Sequence, residues 1–562
     1  MSVHTMSKRP LQSLILATAA LLAVLPAYAA KLNDTEKTRI EEPRPPGLPS
    51  DEQMVADGAV IERIDFDIRQ IFDESDRRED NNLYRLANRL HIRTKVSTVR
   101  AQLLFREGDR YDPQKLEETE RNLRRLRPFY DARVVPVKYA DGKVTVKVIT
   151  KDVWTLSPGI SFGRSGGTNA SRFELEDTNL LGLGKKIQFS HGSNVDRTTN
   201  EIEYDDPNLF GSRWTLGALY ADADDGSDRS IAVGQPFYSL DTPWSVTLKA
   251  RQFDRTVSRY NRGVIGDQFR RDEDYYELSG GVSNGLINGW TKRWVGGVRF
   301  DRNRFAQIDT LTPAAILPPD RTTAYPYVGV NLIEDDYRKV GDLNQIGRTE
   351  DLYFGTQVGL ELGFNTKALD ASRNGLIVNA NVLKGFQLNP VNQLFLTSTF
   401  TSRWEGGQAR NLILDGTASY YWRWRSDRVL YVFLGGTTTH ALDPENQLMI
   451  GGDSGLRGYP LRYEAGTSRA LLTIEQRFYT EWYPFRLARF GAAIFADVGR
   501  TWGREPVGDS NPGMLSDIGF GLRFGNTRSG LGNVLHIDFA YPLNNDPGIK
   551  KFQVLVGTKQ SF

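Results

Sequence analysis

The residues best placed to do chemistry are Gly452-Asp453-Ser454-Gly455, the tetrapeptide that surrounds the serine nucleophile of trypsin-like hydrolases. A serine there needs a histidine base within hydrogen-bond reach and a carboxylate to orient that base. Beyond the first turns of the chain the histidines are His91, His191, His440 and His536, and none lies in a recognisable base motif. His440 is nearest in sequence but sits in a loop-like stretch. A match of this length, rich in turn formers, does not make an active site. The chain has no cysteine, which excludes disulfides, thiolate nucleophiles and thiolate metal sites. The expectation is no enzyme, with no catalytic residue, no metal and no cofactor. The next residues, Leu456-Arg457-Gly458-Tyr459, raise a different question: what would a loop arginine in that setting hold, and against which wall?

The bulk properties narrow the wall. At 562 residues the chain is too long for one ordinary soluble core. A formal net charge of +2 gives no reason to expect a nucleic-acid partner. Mean hydropathy is −0.44, and no internal apolar run reaches the ~18 residues a spanning helix needs. A transmembrane β-barrel stays open, because lipid-facing and lumen-facing residues alternate along its strands and average out. At the N-terminus Lys8 and Arg9 precede an apolar segment from Leu11 to Leu25, followed by Ala27-Tyr28-Ala29. This pattern predicts a secretory signal peptide over residues 1–29. Residues 30–56 carry prolines 43, 45, 46 and 49 and read as an extended, unpacked Pro-rich linker.

Residues 57–153 have the pattern of a small α+β domain. VIERIDFDI alternates as a strand, Ser97 offers a cap for a helix through Phe105, and Asp112 with Pro113 opens a second helix that carries Leu116, Leu123 and Leu126 on one face. ARVVPVKY and KVTVKVIT then form a hairpin across Asp141-Gly142. From Trp154 to Phe562 the helical signals stop. SDIGFGLRF sets Ile518, Phe520, Leu522 and Phe524 against Asp517, Gly519, Gly521 and Arg523. NVLHIDFAY and LLTIEQRF alternate in the same way. A soluble sandwich buries the apolar face; a membrane barrel turns it to lipid and keeps the charged face in a wet lumen. Tryptophans 154, 214, 244, 290, 422, 482 and 502 fall at strand ends, where interfacial girdles sit, and favour the barrel. Alternation marks as many as twenty candidate strands. The final stretch puts Phe552, Val554 and Val556 on one face with Phe562, and its run to an aromatic end resembles the C-terminal signature of bacterial outer-membrane barrels, although Thr558 and Gln560 stand where apolar residues are usual.

Taken together, these motifs resemble the Omp85 superfamily (BamA/TamA-like, bacterial surface antigen D15 type). The 57–153 unit is similar to a POTRA domain, with Gly108, Tyr111 and Asp112 in the segment matching its inter-helix signature. Leu456-Arg457-Gly458-Tyr459 resembles the family's loop-six motif, and IFADVGRTW, residues 494–502, resembles the strand that receives it. On this reading Arg457 tucks into the lumen against Asp497, with Gly499 leaving room and Glu475 as a second partner, while Gly458 permits a tight tip. The resemblance implies a mainly β fold: a transmembrane antiparallel β-barrel of sixteen strands over 154–562, preceded by one POTRA domain. It implies an outer-membrane protein of a Gram-negative bacterium, with its POTRA domain in the periplasm, in contact with the lipid bilayer. It also implies unfolded polypeptide clients, taken at the POTRA edge and at the seam between first and last strands, for insertion into or translocation across the membrane without ATP. Accessory periplasmic or outer-membrane proteins are further expected partners. Two other readings remain open: a two-partner-secretion transporter of one dedicated exoprotein, and a passive pore or structural surface antigen. The chain departs from the pattern in having a single POTRA domain and no plug helix in the linker; residues 69–95 read as an insertion.

Overall fold

The computed structural model describes residues 40, 42–308, 315–503, 513–529, 534–544, 546 and 548–559. The expected signal peptide, Phe562 and Gln560 lie outside the described residues.

The N-terminal domain is built on a sheet ordered β1-β3-β2, from β1 (Val60–Arg69), β2 (Phe129–Ala140) and β3 (Lys143–Asp152), with β1 parallel to β3. Helices α1 (Asp51–Ala56), α2 (Asn82–Leu90), α3 (Val96–Arg100) and α4 (Pro113–Arg125) surround it. Asp112 caps α4 through the Gln114 N–H at 3.1 Å, with Pro113 in the first turn. Asp141 and Gly142 make the β2–β3 turn, both with positive φ. The expected cap at Ser97 is displaced: α3 is a single short turn that begins at Val96. The linker is also shorter than its composition suggests. Ser50 caps α1, Met54 is fully buried in the domain core beside Ile61 and Val146, and the Ile40 N–H donates to Asp131 at 2.9 Å. The prolines do not extend the chain past residue 49, because core residues distant in sequence capture Met54 and the helix that carries it.

Twenty antiparallel strands, from Leu156–Ser165 to Gln553–Lys559, pair with their chain neighbours and close into a barrel. The number is the one marked by alternation; the sixteen implied by family resemblance is not observed. The face that alternation left undecided is now fixed. Ile518 and Phe520 are 47% and 53% exposed, whereas Asp517 and Arg523 on the same strand are 0% exposed. A soluble sandwich would have this reversed. Trp214, Trp244, Trp290, Trp482 and Trp502 stand exposed at or beside strand ends, whereas Trp154 packs against Tyr84 of the N-terminal domain.

Closure is uneven around the ring. The first strand (Leu156–Ser165) pairs with the second along its length, from Leu156↔Asp177 to Ser165↔Thr168. Against the last strand it registers, among the described residues, through Val556↔Arg164 only. Both mouths are occupied. At the domain end, a short hairpin of Tyr337–Gly341 and Thr349–Tyr353 turns inward between the tenth and eleventh strands, and Leu343 and Ile346 pack against the lumen-side residues Tyr421, Tyr479 and Ala493. The N-terminal domain braces it: Arg124 forks onto Asp351, with Nε–Oδ2 at 2.7 Å. At the other end, the long loop of residues 441–467 folds into the barrel, carrying its own hairpin of Leu448–Ile450 and Glu464–Gly466.

Candidate functional site

The tip of that long loop meets four consecutive strands: the sixteenth (Ser468–Tyr479), seventeenth (Ala488–Trp502), eighteenth (Leu515–Asn526) and nineteenth (Val534–Pro542). Alternation aims Glu475 and Arg477, Asp497, Asp517 and Arg523, and Asp538 inward, and strand register brings them together; Asp497 lies directly opposite Asp517. Arg457 enters this group. Its Nε and Nη2 donate to the two oxygens of Asp497 at 2.7 and 3.0 Å, and its Nη1 donates to Glu475 Oε2 at 2.8 Å. Asp538 stands 3.7 Å from Nη1, and the guanidinium lies over the Phe495 ring, 3.3 Å from its centroid. Arg477 pairs with Glu475 at 3.0 Å and Arg523 with Asp538 at 2.6 Å. Thr473 donates its hydroxyl to Asp497 at 2.8 Å.

Burying a lone guanidinium is costly; burying one inside a hydrogen-bonded set of near-balanced charge is not. Burial alone would favour loss of the Arg457 proton, but Asp497, Glu475 and Asp538 outweigh it and hold the group above its ordinary value. The forked contact with Asp497 adds geometric specificity that a lysine cannot supply. Leu456 is fully buried with Ile450 and Leu515. The Tyr459 hydroxyl donates to the Ser516 carbonyl at 2.8 Å, and the Gly458 N–H donates to Asp517 at 3.0 Å.

Both glycines differ from expectation. A Cβ at Gly499 would meet Ile450 Cδ1 at 2.6 Å and Leu456 Cδ2 at 3.4 Å, so the space there admits apolar side chains of the loop and not the guanidinium. A Cβ at Gly458 would meet Asp517 Cβ at 2.7 Å, so this glycine serves close approach to the wall. The Ser454 hydroxyl accepts from the Gly451 N–H at 2.8 Å and closes a turn. Asp538, Arg523, Arg477 and Asp517 share in the cluster without having been singled out. Inward charged positions on successive strands were the available signal, but only register reveals that they converge.

The site adjoins the seam. A cavity of 420 Å³ is lined by Arg457 and Glu475 on one side and by Arg164, Val556 and Lys559 on the other. The Ser165 hydroxyl, at the end of the first strand, donates to the Gly452 carbonyl at 2.8 Å. On the last strand Val554 and Val556 lie within the pairing with strand nineteen, while Phe552 precedes the strand and is exposed.

In the N-terminal domain Gly108 has φ +94°, a conformation that favours glycine, and its N–H donates to the Ile61 carbonyl at 2.8 Å. Tyr111 is buried and its hydroxyl donates to Asp51 at 2.7 Å, tying α1 to the core. These contacts, with Glu107 accepting the Ile64 N–H at 3.0 Å, cover the start of the β1 edge. The β2 edge is also largely used. Asp131 and Glu120 accept the N–H groups of Ala132 and Val134, both at 2.9 Å, and Pro136 has none to offer. An added strand finds few donors there, against the expectation of an open domain edge.

Two family models match parts of the chain. The Omp85 superfamily domain matches residues 384–560, and the POTRA domain, described as a surface antigen variable number repeat, matches residues 91–151. The chain carries an Omp85 domain and one POTRA domain. The Omp85 match runs from within the twelfth strand to the end of the twentieth and includes the arginine loop with the five strands after it. The strands before residue 384 lie outside the Omp85 match. Among solved structures, CdiB from Escherichia coli aligns at 13% identity and TM-score 0.47, covering 89% of this chain and 76% of that one. BamA from Haemophilus ducreyi lacking POTRA domains 1–3 aligns at 13% identity and TM-score 0.34, covering 89% and 85%. CdiB from Acinetobacter baumannii aligns at 12% identity and TM-score 0.42, covering 89% and 73%. No curated protein matches the chain.

Proposed function

We propose that this Omp85-type barrel assists unfolded polypeptide into or across the outer membrane of a Gram-negative bacterium, without ATP, and that its working element is the seam between first and last strands. The observation that carries the reading is the seam's pairing through Val556↔Arg164, beside a cavity that also touches the Arg457 cluster. Unpaired N–H and C=O groups on two facing edges can template an incoming strand through backbone hydrogen bonds, which tolerates many sequences. The arginine loop holds strands sixteen to nineteen in fixed register, so that opening is confined to the seam. The POTRA domain lies on the periplasmic side and closes that mouth with the inward hairpin. With most β2 donors engaged, its direct contribution to client binding falls to the open end of β2, residues 138–140. The same occupancy of both mouths favours client handling over a passive pore.

The absence of cysteine makes the test clean. Arg164→Cys with Val556→Cys places a disulfide across the pair registered among the described residues. Oxidation is expected to abolish insertion or export of the client in cells, and reduction to restore it. Full activity with the seam locked would remove the basis of the proposal.

A further inference from the structure

We propose that the exposed face of α2, formed by Leu83, Leu86 and Leu90, is a lipid-binding surface that rests on the periplasmic leaflet beneath the seam. The inference rests on the reading of the barrel as embedded in the outer membrane.

The segment that carries α2 is not part of the POTRA core. None of the buried core residues of that domain falls between Ile68 and Val99; Ile71, Phe72 and Tyr84 instead form a separate cluster with Trp154, the junction to the barrel. The segment is fixed at both ends to rim turns of the barrel. On one side the Tyr84 hydroxyl donates to the Phe485 carbonyl, Arg486 pairs with Glu79 at 2.9 Å, and Arg528 donates to the Ile71 carbonyl at 2.6 Å. On the other side the Lys95 N–H donates to the Gly182 carbonyl at 2.9 Å, and Asn179 donates to Thr94 Oγ1 at 2.9 Å. These turns come after strands sixteen, eighteen and two, so α2 lies under the arc whose middle is the seam.

The inner face of α2, Tyr84 and Asn88, is buried, whereas Leu83, Leu86 and Leu90 are 67%, 51% and 64% exposed. Their i, i+3, i+7 spacing places them on one stripe. The rim turns that hold the segment carry exposed apolar residues of the barrel's outward face. Phe485, whose carbonyl takes the Tyr84 bond, is itself exposed, and in the same turn Trp482 meets the Phe490 ring, tilted, at 4.0 Å; Phe490 in turn meets Phe524 edge-on at 4.7 Å on the outward face. On the other flank Leu181 is exposed beside Gly182. The helix has no carboxylate, and Arg85 and Arg89 flank the stripe, as suits a helix lying among phosphate headgroups.

Single cysteines can be labelled uniquely in the full chain. We would attach a nitroxide at Leu86→Cys, at Phe520→Cys on the barrel's outward face, and at Asp141→Cys on the exposed tip of the POTRA hairpin. In vesicles of phosphatidylethanolamine and phosphatidylglycerol, collision with oxygen is compared with collision with a water-soluble nickel chelate. The expected result is an oxygen-to-nickel ratio at Leu86→Cys several-fold above that at Asp141→Cys and approaching that at Phe520→Cys. A ratio equal to that at Asp141→Cys, or a label shielded from both agents, overturns the inference while the barrel reading stands. A water-like ratio at Phe520→Cys overturns the membrane reading and this inference with it.

Discussion

Arg457 links carboxylates on strands sixteen, seventeen and nineteen while lying flat on Phe495, so its removal leaves Asp497 buried without its main counterion, whereas Glu475 keeps Arg477. Breaking one partner out of a buried ion pair costs about 3–5 kcal/mol, mostly from the charge left behind. The loop is also attached through Leu456, Gly458, Tyr459, Ser165 and Arg462, contacts that do not replace that charge balance. Arg457→Ala is therefore expected to loosen residues 451–463 by that amount, read as roughly a hundredfold or greater rise in their hydrogen-exchange opening. Arg457→Lys keeps the charge but loses the forked contact and the ring stack, and should fall between the two. Unchanged protection in Arg457→Ala would mean that the remaining contacts hold the loop without it. Of this geometry, the Arg457–Asp497 pairing is legible in sequence, because alternation fixes which way Asp497 points. The roles of Asp538 and Arg523 are not, because they depend on the stagger between strands. Gly499 misleads for the same reason: the loop hairpin that brings Ile450 to it carries no sequence signal of its own.

The loop hairpin of Leu448–Ile450 and Glu464–Gly466 has a titrating member. Glu464 is buried, accepts the Thr501 N–H at 3.2 Å, and burial pushes its carboxyl up to about 7. A carboxyl raised in the folded loop binds its proton more tightly than in the released loop, where about 4.5 applies. Its contribution is therefore complete below about pH 4.5 and is lost as pH rises through about 7, a change on the order of 3 kcal/mol. Protease nicking of residues 441–467 should accordingly speed up between pH 5 and 8, and Glu464→Gln should flatten that dependence and protect the loop at pH 8. A variant with the wild-type pH profile would assign the change elsewhere. At this scale the sequence carries most of the element types and misses some extents. Strands sixteen, eighteen and nineteen can be read directly from their alternation, as can α4 from Asp112-Pro113. The linker misreads because Pro43 to Pro49 determine only local extension, while Met54 is placed by a core assembled from β1, β3 and α4. Strand number is readable from alternation and obscured by analogy, because the family match covers only residues 384–560 and leaves the earlier strands uncounted.

Across the whole molecule two segments fold inward, one at each mouth, and are expected to obstruct the lumen in series. At the POTRA mouth, residues 337–353 are held by Arg477 and Tyr479 donating to the Leu343 carbonyl at 3.1 and 2.9 Å, and from below by Arg124 on Asp351 and Lys339 on Glu120 at 2.6 Å. At the other mouth, the arginine loop reaches across the barrel, with Arg462 on Asp196 at 2.6 Å and Arg403 on Asp443 at 2.9 Å far from the cluster itself. A twenty-strand ring is wide enough to hold water once emptied, since barrel diameter grows with strand number. Obstructions in series give a distinctive prediction. In planar bilayers the intact protein should conduct weakly, and replacing either residues 338–352 or residues 448–466 by a short glycine-serine linker should change this little, because the other segment still blocks the path. Only the double replacement should give large, steady conductance steps, with retained β-sheet circular dichroism showing that the barrel survives. Large conductance from the intact protein would restore the passive-pore reading. Large conductance from one single replacement would identify that segment as the sole barrier and leave the other with a purely structural role at the wall.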